Sequence, residues 1–210
     1  MSFDTVAPFY RTLEAIVFGN ALQRARTAFI HKLCDCRRAL IAGEGNGLYL
    51  AELLATNRSI EITCVDQSTK MLKLARSRIV DPQQRSRVQF IAADLLETQP
   101  HGSYDVVVTN FFFDCFDEEQ LPRVVSHLAA CAAPNARWLV ADFTAARRGK
   151  PLVALMYAFF RLLANISASR LVDYTPFLHQ HGFLRQVDRE FHAGLVRAEL
   201  WRRNLQGGAR

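Results

Sequence analysis

Apolar residues along this chain fall into two alternating kinds of stretch. Short, near-continuous apolar runs recur around residues 39–42, 61–66, 88–93, 104–110 and 136–143. Between them lie segments whose apolar residues repeat every three or four positions. These are Leu48 to about Ala55, Ser68 to Ile79 with Leu72, Ala75 and Ile79 on one face, and Asp117 to Cys131 with Leu121, Val124, Val125 and Leu128. The continuous runs read as strands buried on both faces, and the helical period reads as helices laid on them. Strand alternating with helix predicts an α/β fold built on a doubly wound, mostly parallel sheet. Upstream, Phe18, Leu22, Ala25 and Phe29 recur at helical spacing. Residues 3–34 therefore predict a helical segment broken near Gly19-Asn20, either packed on the sheet edge or lying over a ligand as a lid. Downstream, Leu171 to His181 reads as a further helix. Phe183 to Phe191 and Leu195 to Trp201 read as an antiparallel hairpin turned at His192-Ala-Gly194.

The first strand ends in three glycines at alternate positions, Gly43-Glu-Gly45-Asn-Gly47, and a helix follows at once. Glycine lets the backbone turn sharply and lets a ligand approach where a Cβ would clash. The new helix start offers N–H groups to polar or anionic ligand atoms. The spacing excludes two common loops. Six positions on from Gly43 stands Leu48, and from Gly45 stands Leu50, so the G-x-G-x-x-G dinucleotide fingerprint fails in both registers. No G-x-x-x-x-G-K-[ST] phosphate loop occurs. The second strand, Glu61-Ile-Thr-Cys-Val-Asp66, ends in an acid 19 residues past Gly47. A carboxylate there can accept both hydroxyls of a ribose. Its alternative use is a helix cap, for which Ser68 is the better candidate.

Composition narrows the class. The chain has 210 residues, half of them apolar, which suits one domain with a substantial core. No apolar run reaches the roughly 20 residues that span a bilayer. The start, Met1-Ser-Phe-Asp-Thr, lacks the plan of a signal peptide, so a cytoplasmic location is expected. Five scattered cysteines, with Cys34-x-Cys36 lacking a second ligand pair, read as reduced packed thiols, and no metal site is expected. The net charge of +6 permits acidic partners, but the basic residues are dispersed and no basic stripe is interleaved with aromatics. Nucleic acid is therefore not the expected partner. His179 and His181, two positions apart, do not share a helix face and do not make a metal pair.

With these residues in place, the chain resembles class I S-adenosylmethionine-dependent methyltransferases. The G-x-G-x-G loop stands at that family's first motif, Asp66 at its ribose acid, and Asp94-Leu95 at the position that receives the adenine amino group. Gln67 and Met71 flank the nucleoside by the same resemblance, although Met71 could equally fill core and Asp94 cap a turn. Phe3-Asp-x-x-Ala-Pro-x-Tyr10 resembles the opening segment of small-molecule enzymes similar to the ubiquinone/menaquinone C-methyltransferases, which implies a cofactor or substrate contact for Tyr10. The chain departs from the family at Ile41, where the first motif carries an acid. Glu44 either takes over some of that work or is a solvated loop carboxylate. The fourth strand opens into Asn110-Phe-Phe-Phe-Asp-Cys-Phe116. Asn110 matches the fourth motif, but Phe111 and Phe112 replace the prolines of the enzymes that methylate bases. The phenylalanines instead suggest an apolar or aromatic pocket wall, with some of them turned to the core. Asp114 is the candidate general base, with a capping or structural role as its alternative.

What the resemblance implies is a Rossmann-like α/β/α sandwich whose seven-stranded, mostly parallel sheet has an antiparallel last strand. One domain, 1–210, would divide into a helical lid at 1–36, a cofactor-binding core at 37–143, a helical cover at 144–182 and a closing hairpin at 183–203. The implied reaction is methyl transfer from S-adenosylmethionine, leaving S-adenosylhomocysteine, to a small aromatic or apolar acceptor at oxygen or carbon. A cofactor-binding protein without catalysis, acting as a sensor or partner subunit, is the rival of another class, and a dehydrogenase stands third. The segment 151–166 is apolar nearly all round, with Arg161 its only charge. It is open to use as pocket cover with Tyr157 and Phe160 as contacts, as a homodimer face, or as a peripheral contact with a bilayer surface.

Overall fold

The computed structural model describes residues 20–144 and 171–204. Seven strands form one sheet in the order β3-β2-β1-β4-β5-β7-β6. They are β1 (Arg38–Ala42), β2 (Glu61–Asp66), β3 (Val88–Ala92), β4 (Tyr104–Asn110), β5 (Ala132–Phe143), β6 (Phe183–Phe191) and β7 (Val196–Arg203). β1 to β5 are parallel neighbours, and β7 runs antiparallel to both β5 and β6. This is the expected sheet with its antiparallel last strand.

Alternation along each strand feeds two cores, one per face. On one face Ile41, Val106, Val108 and Leu139 meet α1 (Ala21–Arg26), α2 (Leu48–Thr56) and α3 (Thr69–Arg78) through Leu22, Ala25, Leu50, Leu53, Leu54, Leu72 and Ala75. On the other, Leu40, Val107, Trp138 and Trp201 meet α5 (Gln120–Ala130) and α6 (Thr175–Gln180) through Leu121, Val124, Val125, Leu128 and Leu178. A one-turn helix, α4 (Pro82–Ser86), is started by Asp81, whose Oδ1 accepts the Gln83 N–H at 2.9 Å. The described part of the N-terminal segment packs on the sheet. Leu22, Ala25, Phe29 and Leu33 are all buried in the first core.

Three boundaries differ from the sequence reading, each for a local reason. Asp117 does not enter α5; its Oδ1 accepts the N–H groups of Glu119 and Gln120 at 3.0 and 2.9 Å and the helix starts after that turn. β5 begins at Ala132 rather than Ala136. Asn135, at φ +64°, lets the strand pass through an irregular register, from Tyr104 opposite Ala132 to Val106 opposite Arg137. The helix expected over 171–181 shrinks to α6, because Pro176 belongs in a first turn and not in a helix interior. Tyr10, Tyr157, Phe160 and the segment 151–166 lie outside the described residues. Among the described residues, no helix is long and apolar enough to cross a membrane.

Candidate active site

β1 has β2 on one side and β4 on the other, so the strand order reverses there. Open α/β sheets bind ligands at the carboxyl ends of strands at such a point. The glycine loop leaves β1 at this place, with Gly43, Gly45 and Gly47 at φ +68°, +65° and +81°. Only one of the three opens onto space. A Cβ at Gly43 would stand 2.5 Å from Cδ2 of Phe112, and one at Gly47 would stand 2.6 Å from Cα of Ala75 in α3. At Gly45 nothing among the described residues lies within 4 Å. The outer glycines are thus required by the protein's own packing, and Gly45 leaves room for a ligand.

The start of α2 is less open than expected. Asn46 Oδ1 accepts the Leu48 N–H at 3.2 Å, and Glu44 Oε1 accepts the Leu50 N–H at 3.0 Å. The loop's own side chains therefore cap two of the N–H groups expected to await a ligand. Burial pushes the Glu44 carboxyl up to about 7, while the Leu50 N–H and the Arg26 guanidinium pull it down.

Asp66 ends β2 with both oxygens fixed. Its Oδ1 accepts the Ser68 N–H at 2.8 Å and its Oδ2 the Gly45 N–H at 3.3 Å. Burial raises its pKa against these two bonds. Each carboxylate oxygen has a second lone pair, so two further donors can be accepted. Ser68 is the cap of α3, its Oγ accepting the Met71 N–H at 3.3 Å. Gln67 is exposed beside it, and Met71 is half-buried in the first turn. Asp94 is exposed after β3 and orders a turn, its Oδ1 accepting the Leu96 N–H at 2.9 Å. Leu95 is buried in the second core. Asn110 closes β4 and is 9 % exposed, and its buried Nδ2 has no hydrogen-bond partner. A buried amide donor left unpaired is costly unless something completes it.

On the other side of the crevice, Phe111 sits at φ +52°, a region costly for a side chain of its size. Its N–H donates to Ala141 O at 2.7 Å, and its ring lies 5.1 Å from that of Phe143. The Arg26 guanidinium stands 4.8 Å above it. Phe112 fills the space Gly43 leaves and meets Phe116 edge-on at 4.9 Å. Phe113 instead belongs to the core, between Trp138 and Tyr174. Asp114 follows in a 3-10 turn, and burial pushes its carboxyl up to about 6. That turn hangs from Asp142 at the end of β5, which is 1 % exposed. Asp142 accepts the Phe113 N–H at 3.1 Å and the Phe143 N–H at 2.8 Å. Burial and the neighbouring Asp114 hold its pKa well above the usual carboxylate range. The chain re-enters at Tyr174, whose hydroxyl donates at 3.0 Å to the buried Glu199.

Sequence reasoning passed over Asp142 and Arg26. The signal for Asp142 was present, an acid at the carboxyl end of a strand buried on both faces. Arg26 had none, because its partner Phe111 lies 85 positions away. His179 packs against Trp201, with ring centroids 5.2 Å apart, and no group of potential metal ligands forms among the described residues.

The crevice fits an S-adenosyl ligand on three counts visible in the protein: the space over Gly45, the two unused acceptor positions of Asp66, and the unpaired amide of Asn110. Residues 40–138, which run from β1 into β5, match the family model of a methyltransferase domain. The 3-amino-4-hydroxybenzoate 4-O-methyltransferase of Streptomyces cremeus is 24% identical over 131 residues, 62% of this chain and 35% of that one. The fold is shared with mitomycin 7-O-methyltransferase MmcR, with a TM-score of 0.72 and 19% identity, over 97% of this chain and 61% of that one. It is also shared with human N-acetylserotonin methyltransferase in complex with S-adenosylmethionine, with a TM-score of 0.68 and 18% identity, over 93% of this chain and 55% of that one. The matched family model is that of a methyltransferase domain, and each relative named here is itself a methyltransferase. The chain spans about a third of the length of the curated relative and under two thirds of each of these two structures.

Proposed function

We propose that this chain transfers the methyl group of S-adenosylmethionine to an oxygen of a small aromatic acceptor. The observation that carries the reading is convergence. The glycine loop, Asp66 and Asn110 stand at the carboxyl ends of the neighbouring strands β1, β2 and β4, with open space at Gly45, spare acceptor capacity on Asp66 and an unpaired amide on Asn110. Oxygen is favoured over carbon because the named relatives include two O-methyltransferases. The resemblance to quinone C-methyltransferases rests on the segment containing Tyr10, outside the described residues.

When bound, the cofactor supplies a methyl group on a positively charged sulfur, open to in-line displacement. The protein's part is to hold the two reactants in line and keep water away. Asp66 receives the ribose hydroxyls. Asp94 and the chain at Leu95 face the adenine edge. Phe111, Phe112 and Phe116 form a half-buried apolar wall for the acceptor ring. Asp114, its carboxyl raised into the range where it can take a proton near neutrality, receives the proton of the acceptor hydroxyl. The buried thiols Cys36, Cys64 and Cys131 carry no disulfide, in keeping with a cytoplasmic setting.

Calorimetry with S-adenosylmethionine and S-adenosylhomocysteine on the wild type and Asp66→Ala tests the cofactor. We expect micromolar binding that falls at least about tenfold in the variant, since each hydrogen bond to a charged group is worth about 1.5–3 kcal/mol. Wild-type protein that binds neither compound would remove the reading. A second reading, a cofactor-binding subunit without catalysis, has one specific support: Ile41 occupies the first-motif acid position, and Glu44 is engaged in capping α2. Binding without turnover across a panel of phenolic acceptors would favour it.

A further inference from the structure

Two acids meet where β5 ends. Asp142 is 1 % exposed, and backbone donors hold both of its oxygens. Oδ2 accepts the Phe113 N–H at 3.1 Å, and Oδ1 accepts the Phe143 N–H at 2.8 Å. The N–H of Asp114 acts on the same carboxyl, so Asp142 lies against the main chain of Asp114 itself. Phe113 carries the bond across from the turn after β4. Its ring is buried between Trp138 and Tyr174, which keeps that turn seated on Asp142. Asp114 is only half-buried. Of the two acids it is the one that a ligand can reach, and Asp142 can act only through it.

The surroundings are short of positive charge. The Cys115 thiol lies 3.7 Å from Asp114 Oδ1, and both acids act on it, as does Asp66 from the end of β2. The Tyr174 hydroxyl, on which Asp142 also acts, donates to Glu199. Arg197 stands opposite Asp142 in the register of β5 and β7, but its ion pairs run to Glu190 at 3.0 Å and to Asp188 and Glu199 at 3.9 Å. Arg185 is likewise paired with Glu199, at 2.9 Å. Among the described residues, neither Asp114 nor Asp142 has an ion pair. Like charges in one buried place do not both ionise, so protons leave such a pair one at a time. Burial raises both carboxyls, and Asp114 raises Asp142 further. We propose that Asp142 and Asp114 hold a single proton between them at neutral pH, with Asp142 as the positioning residue that fixes Asp114 in its turn. The inference rests on the function proposed above and deepens it, because a pair that holds one proton can take a second. The acceptor's O–H bond breaks, its proton bonds to a carboxylate oxygen of the pair, and the electrons of that bond stay on the acceptor oxygen. The pair passes from one proton to two and returns the extra one to water before the next turnover.

The test needs neither cofactor nor acceptor. The full chain is labelled with carbon-13 at the aspartate carboxyls, and their signals are followed by NMR as pH is varied. Wild type, Asp114→Asn and Asp142→Asn are compared, with thermal unfolding as a check on folding. In the wild type, the signals of Asp114 and Asp142 should both move in the same two steps, more than about one pH unit apart, as a pair that shares a proton must. Asp114→Asn leaves the bonds of Asp142 to Phe113 and Phe143 in place. There the upper step of the Asp142 signal should fall by more than about one pH unit, because the like charge that opposed it is gone. In Asp142→Asn the Asp114 signal should titrate in one step. Signals that each titrate in a separate step of their own, or an Asp142 signal unmoved by Asp114→Asn, would overturn the pair. If Asp142→Asn does not fold, the Asp114→Asn comparison decides by the same criterion. The cofactor reading fails separately, through wild-type protein that binds neither S-adenosylmethionine nor S-adenosylhomocysteine in calorimetry, and that result would remove the pair's part in the reaction whatever the carboxyls show.

Discussion

The two edges of the parallel sheet are built differently. At the amino edge, polar groups close on one another. Asn57, 3 % exposed, donates from Nδ2 to Leu33 O and Cys36 O, each at 2.8 Å, and accepts the Ser59 N–H at 3.0 Å. Arg87 reaches back to the carbonyls of Asn57 and Ile60. Arg137 forks onto Asp35 and holds that carboxyl down at about 2. Arg203 donates from Nη1 to Ala129 O and Ala132 O, although its buried Nε has no partner. The carboxyl edge carries instead an unpaired amide at Asn110, a strained Phe111, space over Gly45 and acids raised by burial. The amino edge stabilises the chain. The carboxyl edge holds features that cost stability alone, the kind that the proposed ligand would complete.

Substitutions should therefore separate stability from binding according to the edge they strike. The largest effect falls on the part of the loop that serves packing. Gly47→Ala needs a left-handed alanine and drives a Cβ into Ala75, so urea denaturation should show a loss of about 3 kcal/mol. Next, Asn57→Ala strands the Cys36 carbonyl and takes one of its two donors from Leu33 O, and should cost about 2–3 kcal/mol while leaving S-adenosylhomocysteine affinity unchanged. A loss of affinity there would break the comparison.

The third effect is a pH dependence with a definite sign. Burial raises Glu44 from an ordinary 4.5 to about 7, so the folded state holds this proton more tightly than the unfolded chain. The stabilisation is full below about 4.5 and is lost as pH rises through about 7, an amount on the order of 3 kcal/mol at most. Asp114, raised to about 6, adds a slope of the same sign. Glu44→Gln can still accept the Leu50 N–H without a charge. Thermal unfolding at pH 8 should show the variant more stable than the wild type, by about 1–2 kcal/mol, with a flatter pH profile. The smallest effect on folding is at Gly45. Gly45→Ala meets no neighbour and should cost only about 1 kcal/mol, the penalty of a left-handed alanine. Its effect on S-adenosylhomocysteine binding should exceed that of any other change in this series. If Gly45→Ala binds normally, the space over the loop is not the ligand's.

What the sequence made legible was whatever depends on neighbours along the chain. The apolar run Tyr104–Asn110 lies between two others and reads as a strand buried on both faces, and so it is. Ser68 declared itself a cap by standing one residue before a helical pattern. The alternating glycines marked the loop. They did not show that Gly43 and Gly47 serve Phe112 and Ala75, because those contacts join distant positions. The same limit hid Arg26 on Phe111 and Asp142 beneath the turn of Asp114. Glu44 read either as a stand-in for the missing first-motif acid or as a solvated loop carboxylate, because nothing local said that its carboxyl would be buried and turn back onto α2. Helix ends were blurred where a proline or an aspartate, rather than the apolar period, sets the boundary.

The ring of Phe112 against Gly43 has a consequence for how this chain can change through descent. One residue belongs to the glycine loop proposed to hold the cofactor and the other to the wall proposed for the acceptor, and they occupy a single volume across the switch point. A lineage that adapts the wall to a new acceptor by shrinking position 112 opens a void under the loop. A lineage that places a side chain at position 43 must first lose the ring. The two positions are bound to drift as a pair, so under the proposed function acceptor preference and cofactor grip would be inherited together.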